Sequence, residues 1–162
     1  MLIVSDTSPI INLAAINHLY LLPELFGRII IPQIVYQEIV IDGAGESGSD
    51  DIQTAQWVEV QSCTNQDIIT LLSNELDPGE AEAIALALEL NADYLLIDEK
   101  DGRQKALDYH LKPLGVLGIL LRAKDARLIS DISLLMDRLR SEAGFYIHQS
   151  LYDQVKRIAK ES

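Results

Sequence analysis

The chain has 162 residues, 48% hydrophobic and 23% charged, a balance that suits a folded domain with its own core and excludes a disordered or fibrous chain. Thirteen lysines and arginines against twenty-five aspartates and glutamates give a net charge of −12, so a phosphate backbone would be bound weakly unless the charge is uneven or offset by metal. Such a charge also suits an acidic face that meets a basic partner. The single cysteine, Cys63, excludes an internal disulfide and points to a reducing, cytoplasmic setting, and no apolar run approaches the ~18 residues needed to span a membrane.

In chain order, residues 2–5 form an apolar run that ends at Asp6 and reads as a buried strand. Asp6 and Pro9 interrupt the apolar opening and no basic segment precedes it, which argues against a secretory leader. Thr7-Ser8-Pro9 offers capping residues and then proline, and predicts a short helix over 10–15. Asn17 can cap a second helix to Leu25, stopped by Gly27. Ile29-Ile30-Ile31 is the second strand, and Pro32 opens a helix to about Val40. Glycines and serines over 42–49 predict a loop. Residues 57–60 form a third, partly exposed strand, followed by a helix over 67–72. Asp77-Pro78-Gly79-Glu80 opens the clearest helix, Glu80 to Leu90, rich in alanine and leucine. A fourth strand over 94–97 ends at Asp98, and a helix covers 102–109. A short fifth strand lies at 114–116, and from about Leu117 the chain is mainly helical with a break at Gly144. Strands alternating with helices require crossover connections. The prediction is one α/β domain over 1–162, a three-layer α/β/α, Rossmann-like arrangement around a mainly parallel sheet of about five strands.

In such a sheet, ligands bind beyond the carboxyl ends of the strands. Asp6 follows the first strand and Asp98 the fourth, so neighbouring strands would aim both carboxylates into one crevice. Glu38 lies late in the helix after the second strand, where the helix dipole disfavours it, and Glu80 opens the helix before the fourth strand. Plainer roles exist for each. Asp6 and Asp98 can cap helices, Glu38 can be a surface residue, and Asp77 with Glu80 has the spacing of a capping box. As a group they make a stronger argument. Two carboxylates about 5 Å apart repel by roughly 3 kcal/mol at an intermediate dielectric, so four together require protonation or a cation. Hard divalent ions with oxygen ligands fit, and such an ion can activate water and stabilise the leaving oxygen of a phosphodiester. The histidines, His18, His110 and His148, have no zinc-site spacing with Cys63, and no phosphate-loop or nucleophile-elbow motif is present.

At these residues the sequence resembles the PIN-domain family. Val4-Ser5-Asp6-Thr7-Ser8-Pro9 resembles its first acidic motif and Ile31-Pro32-Gln33-Ile34-Val35-Tyr36-Gln37-Glu38-Ile39 its second. Gly79-Glu80-Ala81-Glu82-Ala83-Ile84-Ala85-Leu86-Ala87 resembles the third, with glutamate where many relatives carry aspartate, and Leu95-Leu96-Ile97-Asp98-Glu99-Lys100-Asp101-Gly102-Arg103 the fourth. No single motif is specific; four in order at these spacings are. The resemblance implies magnesium- or manganese-dependent cleavage of RNA and points to the branch like the VapC ribonucleases, toxins of prokaryotic toxin–antitoxin pairs. Carried over, Asp6, Glu38, Glu80 and Asp98 would be catalytic and bind the metal. Thr7 or Ser8 would hold a water beside it, and Glu99 or Asp101 could join the fourth motif. Arg103 has two readings, a contact to substrate phosphate or an ion pair with a nearby acid.

Two rival readings remain at this point: a PIN-like module that binds nucleic acid or protein without catalysis, and an acidic phosphoryl-transfer domain. The second asks for a lysine after the fifth strand, whereas Lys100 follows the fourth. The expected partners are RNA and a basic antitoxin-like protein. The apolar residues of the C-terminal segment, among them Leu134, Leu139, Leu151 and Ile158, suit packing onto the sheet, a homodimer surface, or a groove for a basic antitoxin-like peptide.

Overall fold

The computed structural model describes residues 1–161. Its sheet has five strands, β1 (Ile3–Ser5), β2 (Ile29–Pro32), β3 (Val58–Gln61), β4 (Tyr94–Leu96) and β5 (Pro113–Leu114), in the order β3-β2-β1-β4-β5. All neighbours pair in parallel. Strand alternation divides the apolar side chains between two cores. Ile3, Ile29, Ile31 and Leu96 enter one core, and Val4, Ile30, Leu95 and Ile97 enter the other. The central strands are buried on both faces, as a parallel sheet under helices demands, whereas the edge strands β3 and β5 are half-exposed. This is the expected three-layer arrangement.

On one face lie α1 (Thr7–Ala15), α2 (Leu21–Phe26), α8 (Val116–Asp125), α9 (Ile132–Glu142) and α10 (Gln149–Ile158). On the other lie α5 (Gln66–Leu72), α6 (Pro78–Leu90) and α7 (Lys100–Asp108). Two short helices, α3 (Gln33–Tyr36) and α4 (Ser49–Thr54), complete the set. Among the described residues, no helix is long and apolar enough to cross a membrane.

Several boundaries differ from the sequence reading. Asn17 sits in the left-handed region at φ 59°, so it ends a turn and the second helix begins only at Leu21. Residues 42–49 are largely turns as expected, but Ser49 starts α4. The fifth strand is shorter, because Val116 is already the first residue of α8. The largest difference follows β2. The helix does not end near Val40 but widens after α3 into a π-helical turn, Gln37–Asp42. Gly43 closes it, since a Cβ there would stand 2.8 Å from the Ile39 carbonyl oxygen and 2.9 Å from that of Glu38. Glu38 therefore lies inside the helical run and not in its last turn, and the dipole argument for it falls away.

The C-terminal helices belong to the core. Leu135, Leu139, Ile147 and Val155 are buried, whereas Leu134, Leu151 and Ile158 are exposed. Glu161 ties the chain end to α9. Its carboxylate accepts hydrogen bonds from the Ile132 and Ser133 amides at 2.9 and 3.1 Å, and it pairs with Lys124. Burial works to raise this carboxyl, but Lys124 and the donors of Ile132 and Ser133 hold it down at about 2. Leu139→Ala, at a fully buried position, is expected to cost about 2–5 kcal/mol in urea unfolding, and Leu134→Ala about 0.5 kcal/mol or less. Equal losses for the two would contradict the packing of α9.

Candidate active site

The sheet reverses its direction of growth at β1 and β4. Ser5 is in register with Leu96, and the Asp6 amide donates to the Leu96 carbonyl at 2.9 Å. The helices leaving these strands go to opposite faces, which opens a crevice at their carboxyl ends. Asp6 and Asp98 flank it, as the sequence predicts for neighbouring strands.

Asp6 is buried at the N-cap position of α1, yet its side chain makes no capping hydrogen bond. The plain capping role is therefore not realised. Glu38 comes from the π-helical turn, and Gly79 at the start of α6 lies between the two acids. A Cβ on Gly79 would stand 3.2 Å from Asp6 Oδ1 and would collide with Glu38 Oε1. The two carboxylates thus face each other across the space of one methyl group. Glu38 Oε1 and Thr7 Oγ1 are both buried and neither makes a well-formed hydrogen bond, although the Thr7 hydroxyl lies near enough to the Glu38 carboxyl to favour its charged form. Unpartnered buried oxygens are costly, and they mark a place built for something else.

Glu80 is buried in the first turn of α6 and takes the capping role that the sequence spacing predicts. Its Oε1 accepts the Asp77 amide at 3.2 Å while Asp77 Oδ1 accepts the Glu80 amide at 2.8 Å, a complete capping box. Its Oε2 turns towards α7, where a Cβ on Gly102 would stand 3.2 Å away. Asp98 does not cap the helix that follows it. Its Oδ1 accepts the Val116 amide of α8 at 2.7 Å, and its Oδ2 accepts Asn12 Nδ2 at 3.2 Å. Arg103 reaches the same spot, since a Cβ on Gly115 would meet both its Nη1 and Asp98 Oδ1, but no ion pair of salt-bridge length forms.

Asp6 and Glu38 meet across Gly79, whereas Glu80 lies beside Gly102 and Asp98 beside Gly115, so the four acids do not converge on one point. Among the described residues, no three His, Cys, Asp or Glu side chains stand ready to hold a metal ion. Ser8 is half-buried on α1 and joins none of these hydrogen bonds. Asp101 turns away, lining a separate hollow with Glu75 and Lys105. Glu99, the N-cap of α7, is the closer acid, and its charge acts on both Glu80 and Asp98. Asp77 and Asn12 are members that the sequence reading missed.

Burial pushes the Asp6 carboxyl from 3.8 to about 8, with the charges of Asp77, Glu80 and Glu38 adding to it. Burial, then the Asp77 charge, also raises Glu38. Glu80 rises to about 7, again mainly by burial. Asp98 is raised by burial although the Val116 amide, Asn12 and Arg103 pull the other way. Crowded, desolvated carboxylates of this kind bind either protons or a cation. The donor set fits a hard divalent ion: oxygens only, one of them orphaned, around a gap left by glycine.

The sign of the resulting pH dependence is fixed. A carboxyl whose folded value is raised stabilises the fold fully below its unfolded value, and that contribution is lost as pH rises through the folded value. The chelated protein is therefore expected to lose thermal stability as pH rises from about 4 to 8, the window between the ordinary values of these carboxyls and the raised ones, Glu80 near 7 and Asp6 near 8. Asp6→Asn should flatten this loss and raise the melting temperature at pH 8. A melting temperature that climbs over this window in chelator would contradict the burial of these acids.

A PIN-domain family model matches residues 2–161. No curated protein matches the chain. Among solved structures, the chain resembles a PilT N-terminus domain protein from the hyperthermophilic archaeon Sulfolobus solfataricus P2, with a TM-score of 0.54 and 19% identity over 91% of this chain and 98% of that one. That likeness concerns the fold. PIN domains are generally nucleases that use divalent metal ions. With almost its whole length matched, the chain belongs to the PIN-domain family.

Proposed function

We propose that this chain is a magnesium- or manganese-dependent endoribonuclease of the toxin type. The observation that carries the reading is the pair Asp6 and Glu38, facing across Gly79 with Glu38 Oε1 buried and unpartnered, at the point where the sheet reverses. Asp6 and Glu38 would hold the ion, with Glu80 and Asp98 lining the same crevice. When bound, the ion supplies Lewis-acid polarisation of water and of the scissile phosphate. The chain's own residues do the positioning. Asn12 and the Val116 amide fix the Asp98 carboxylate from two sides. Arg103 brings a cation beside it, suited to a phosphate oxygen. Thr7 Oγ1 is a buried hydroxyl available to a water.

The toxin assignment rests on the resemblance of the four motifs and on charge. Residues 1–99 carry one lysine or arginine, Arg28, against seventeen acids, so a basic segment of a cognate antitoxin would find its complement there. The place of action is the cytoplasm. A non-catalytic module is the second reading, favoured by the absence of a ready three-ligand cluster among the described residues.

Purified protein should cleave single-stranded RNA with magnesium or manganese and stop in chelator, and Asp6→Asn should remove at least ~100-fold of the rate, of the order that one catalytic group supplies. Induction of the wild type in a bacterial host should arrest growth, and induction of Asp6→Asn should not. Metal binding by calorimetry without cleavage of RNA would favour the module. Glu80→Gln separates the two parts played by that residue. Glutamine keeps the capping box and loses the charge. If Glu80 serves the crevice, cleavage falls while metal-free stability holds or rises; if it only caps, activity stays and stability drops by about 0.3–1 kcal/mol.

A further inference from the structure

The net charge of −12 conceals a division. From Lys100 onwards the chain carries twelve of its thirteen lysines and arginines and only eight of its acids. This part of the chain forms α7, β5, α8, α9 and α10, on the β5 side of the sheet. The candidate crevice opens towards it, because Asp98 also lines a groove of ≈ 550 Å³ that runs between α7, α8 and α10.

The mouth of this groove at Asp98 carries Lys100, Arg103 and Gln104, and its interior is apolar. It is flanked by large side chains that the core does not cover: Leu107 is 53% exposed, Tyr146 81%, Leu151 42% and Ile158 58%. On α10 the spacing of Leu151, Val155 and Ile158 gives one helical face. Only Val155 of this face is buried, so half of an apolar stripe faces outwards. At its far end the groove meets a second hollow, sharing Leu121 and Ile158 with it, whose wall holds Arg122, Arg127 and Lys160 against one acid, Asp125. Arg122 is held in place over the Tyr94 ring, 4.5 Å from its centre, and Arg127 and Lys160 are exposed. Lys124 is engaged by Glu161 and contributes less.

We infer that this groove is a track for single-stranded RNA, with bases seated against the apolar walls and Tyr146, and phosphates over Lys100 and Arg103 at one end and Arg127 and Lys160 at the other. The proposal rests on the ribonuclease reading and adds where the strand lies outside the crevice. Charge decides for a polyanion. Cations stand at both ends of an apolar trough, and residues 1–99, with one cation against seventeen acids, offer phosphate no comparable seat. Apolar and aromatic seats between cations are how proteins hold unpaired bases, each with a π-face to stack, whereas a duplex hides its bases from such walls.

The test uses the full chain and a fluorescein-labelled 12-nucleotide single-stranded RNA, read by anisotropy in chelator so that no cleavage intervenes. Tyr146→Ala and Ile158→Glu should each weaken binding about tenfold. Arg127→Glu combined with Lys160→Glu should weaken it and lower the slope of log affinity against log salt by about one. All four positions are exposed, so folding should hold, with circular dichroism as the check and Leu107→Glu as a second variant of the apolar wall. With metal, the groove variants should raise KM for the 12-mer and leave kcat, and leave the cleavage of a dinucleotide too short to enter the groove, unchanged. Wild-type protein that binds the 12-mer through these residues but never cleaves it would sink the ribonuclease reading and leave the track standing. Cleavage with all groove variants binding as the wild type would sink the track alone. Failure of the wild type to bind, or loss of self-association in light scattering with RNA binding intact, would also overturn it, the latter assigning the groove to a second copy.

Discussion

The parallel pairing of β1 with β4 is the constraint on which the rest depends. Parallel neighbours cannot be joined by a tight turn, so the chain must leave β1, build β2 and β3 on one side, and return through α6 before β4 can dock. That detour brings segments far apart in sequence to a single edge of the sheet. Asp6 and Asp98 arrive because their strands end there. Glu80 arrives because α6 runs back against the strands and so begins where they finish. Glu38 arrives because the helix after β2 leaves from the same edge. Strand order brings the four segments to this edge; the π-helical turn and the capping box then set where Glu38 and Glu80 point.

The arrangement opposes its own stability. Asp6 and Glu80 are buried acids, and the charges of Asp77, Glu80 and Glu38 add to the cost of ionising Asp6. The fold tolerates this because the acids are otherwise held in different ways. Glu80 is satisfied by a capping box and Asp98 by the start of another helix, which leaves Glu38 Oε1, across Gly79 from Asp6, as the unresolved part. Gly79 belongs to the same compromise. It weakens the first turn of α6, where alanine would serve the helix better, and it leaves open the space between Asp6 Oδ1 and Glu38 Oε1.

Much of this was legible in the sequence, and what was not has physical reasons. Apolar runs ending in acids disclosed β1 and β4, because a two-sided core leaves no other composition for a central strand. Their adjacency was conditional until the pairing was known. Asp77 escaped notice because the capping box accounted for it fully, yet a cap at a helix start on this edge also stands at the mouth of the crevice. Asn12 did leave a signal, a lone amide between Ile11 and Leu13 in an apolar helix, where an unpaired side chain would be costly. The widening after Tyr36 left none, because a π-turn has the same residue preferences as the α-helix around it. Net charge misled for a simpler reason: a sum carries no information about where its parts lie.

That widening has a consequence for how the chain can change over time. A π-helical turn accommodates one residue more than the α-helical path it replaces. Removing a single residue between Gln37 and Asp42 would let the segment relax to an ordinary helix while the chain on either side kept its course, because the wide turn already absorbs the extra residue. Side chains inside the turn have no such protection: Glu38, which faces Asp6, and Ile39 and Val40, which anchor the turn in the core, take their directions from the wider path. The same deletion that spares the fold would therefore redirect the acid, so this stretch can shorten without unfolding but not without cost to the crevice.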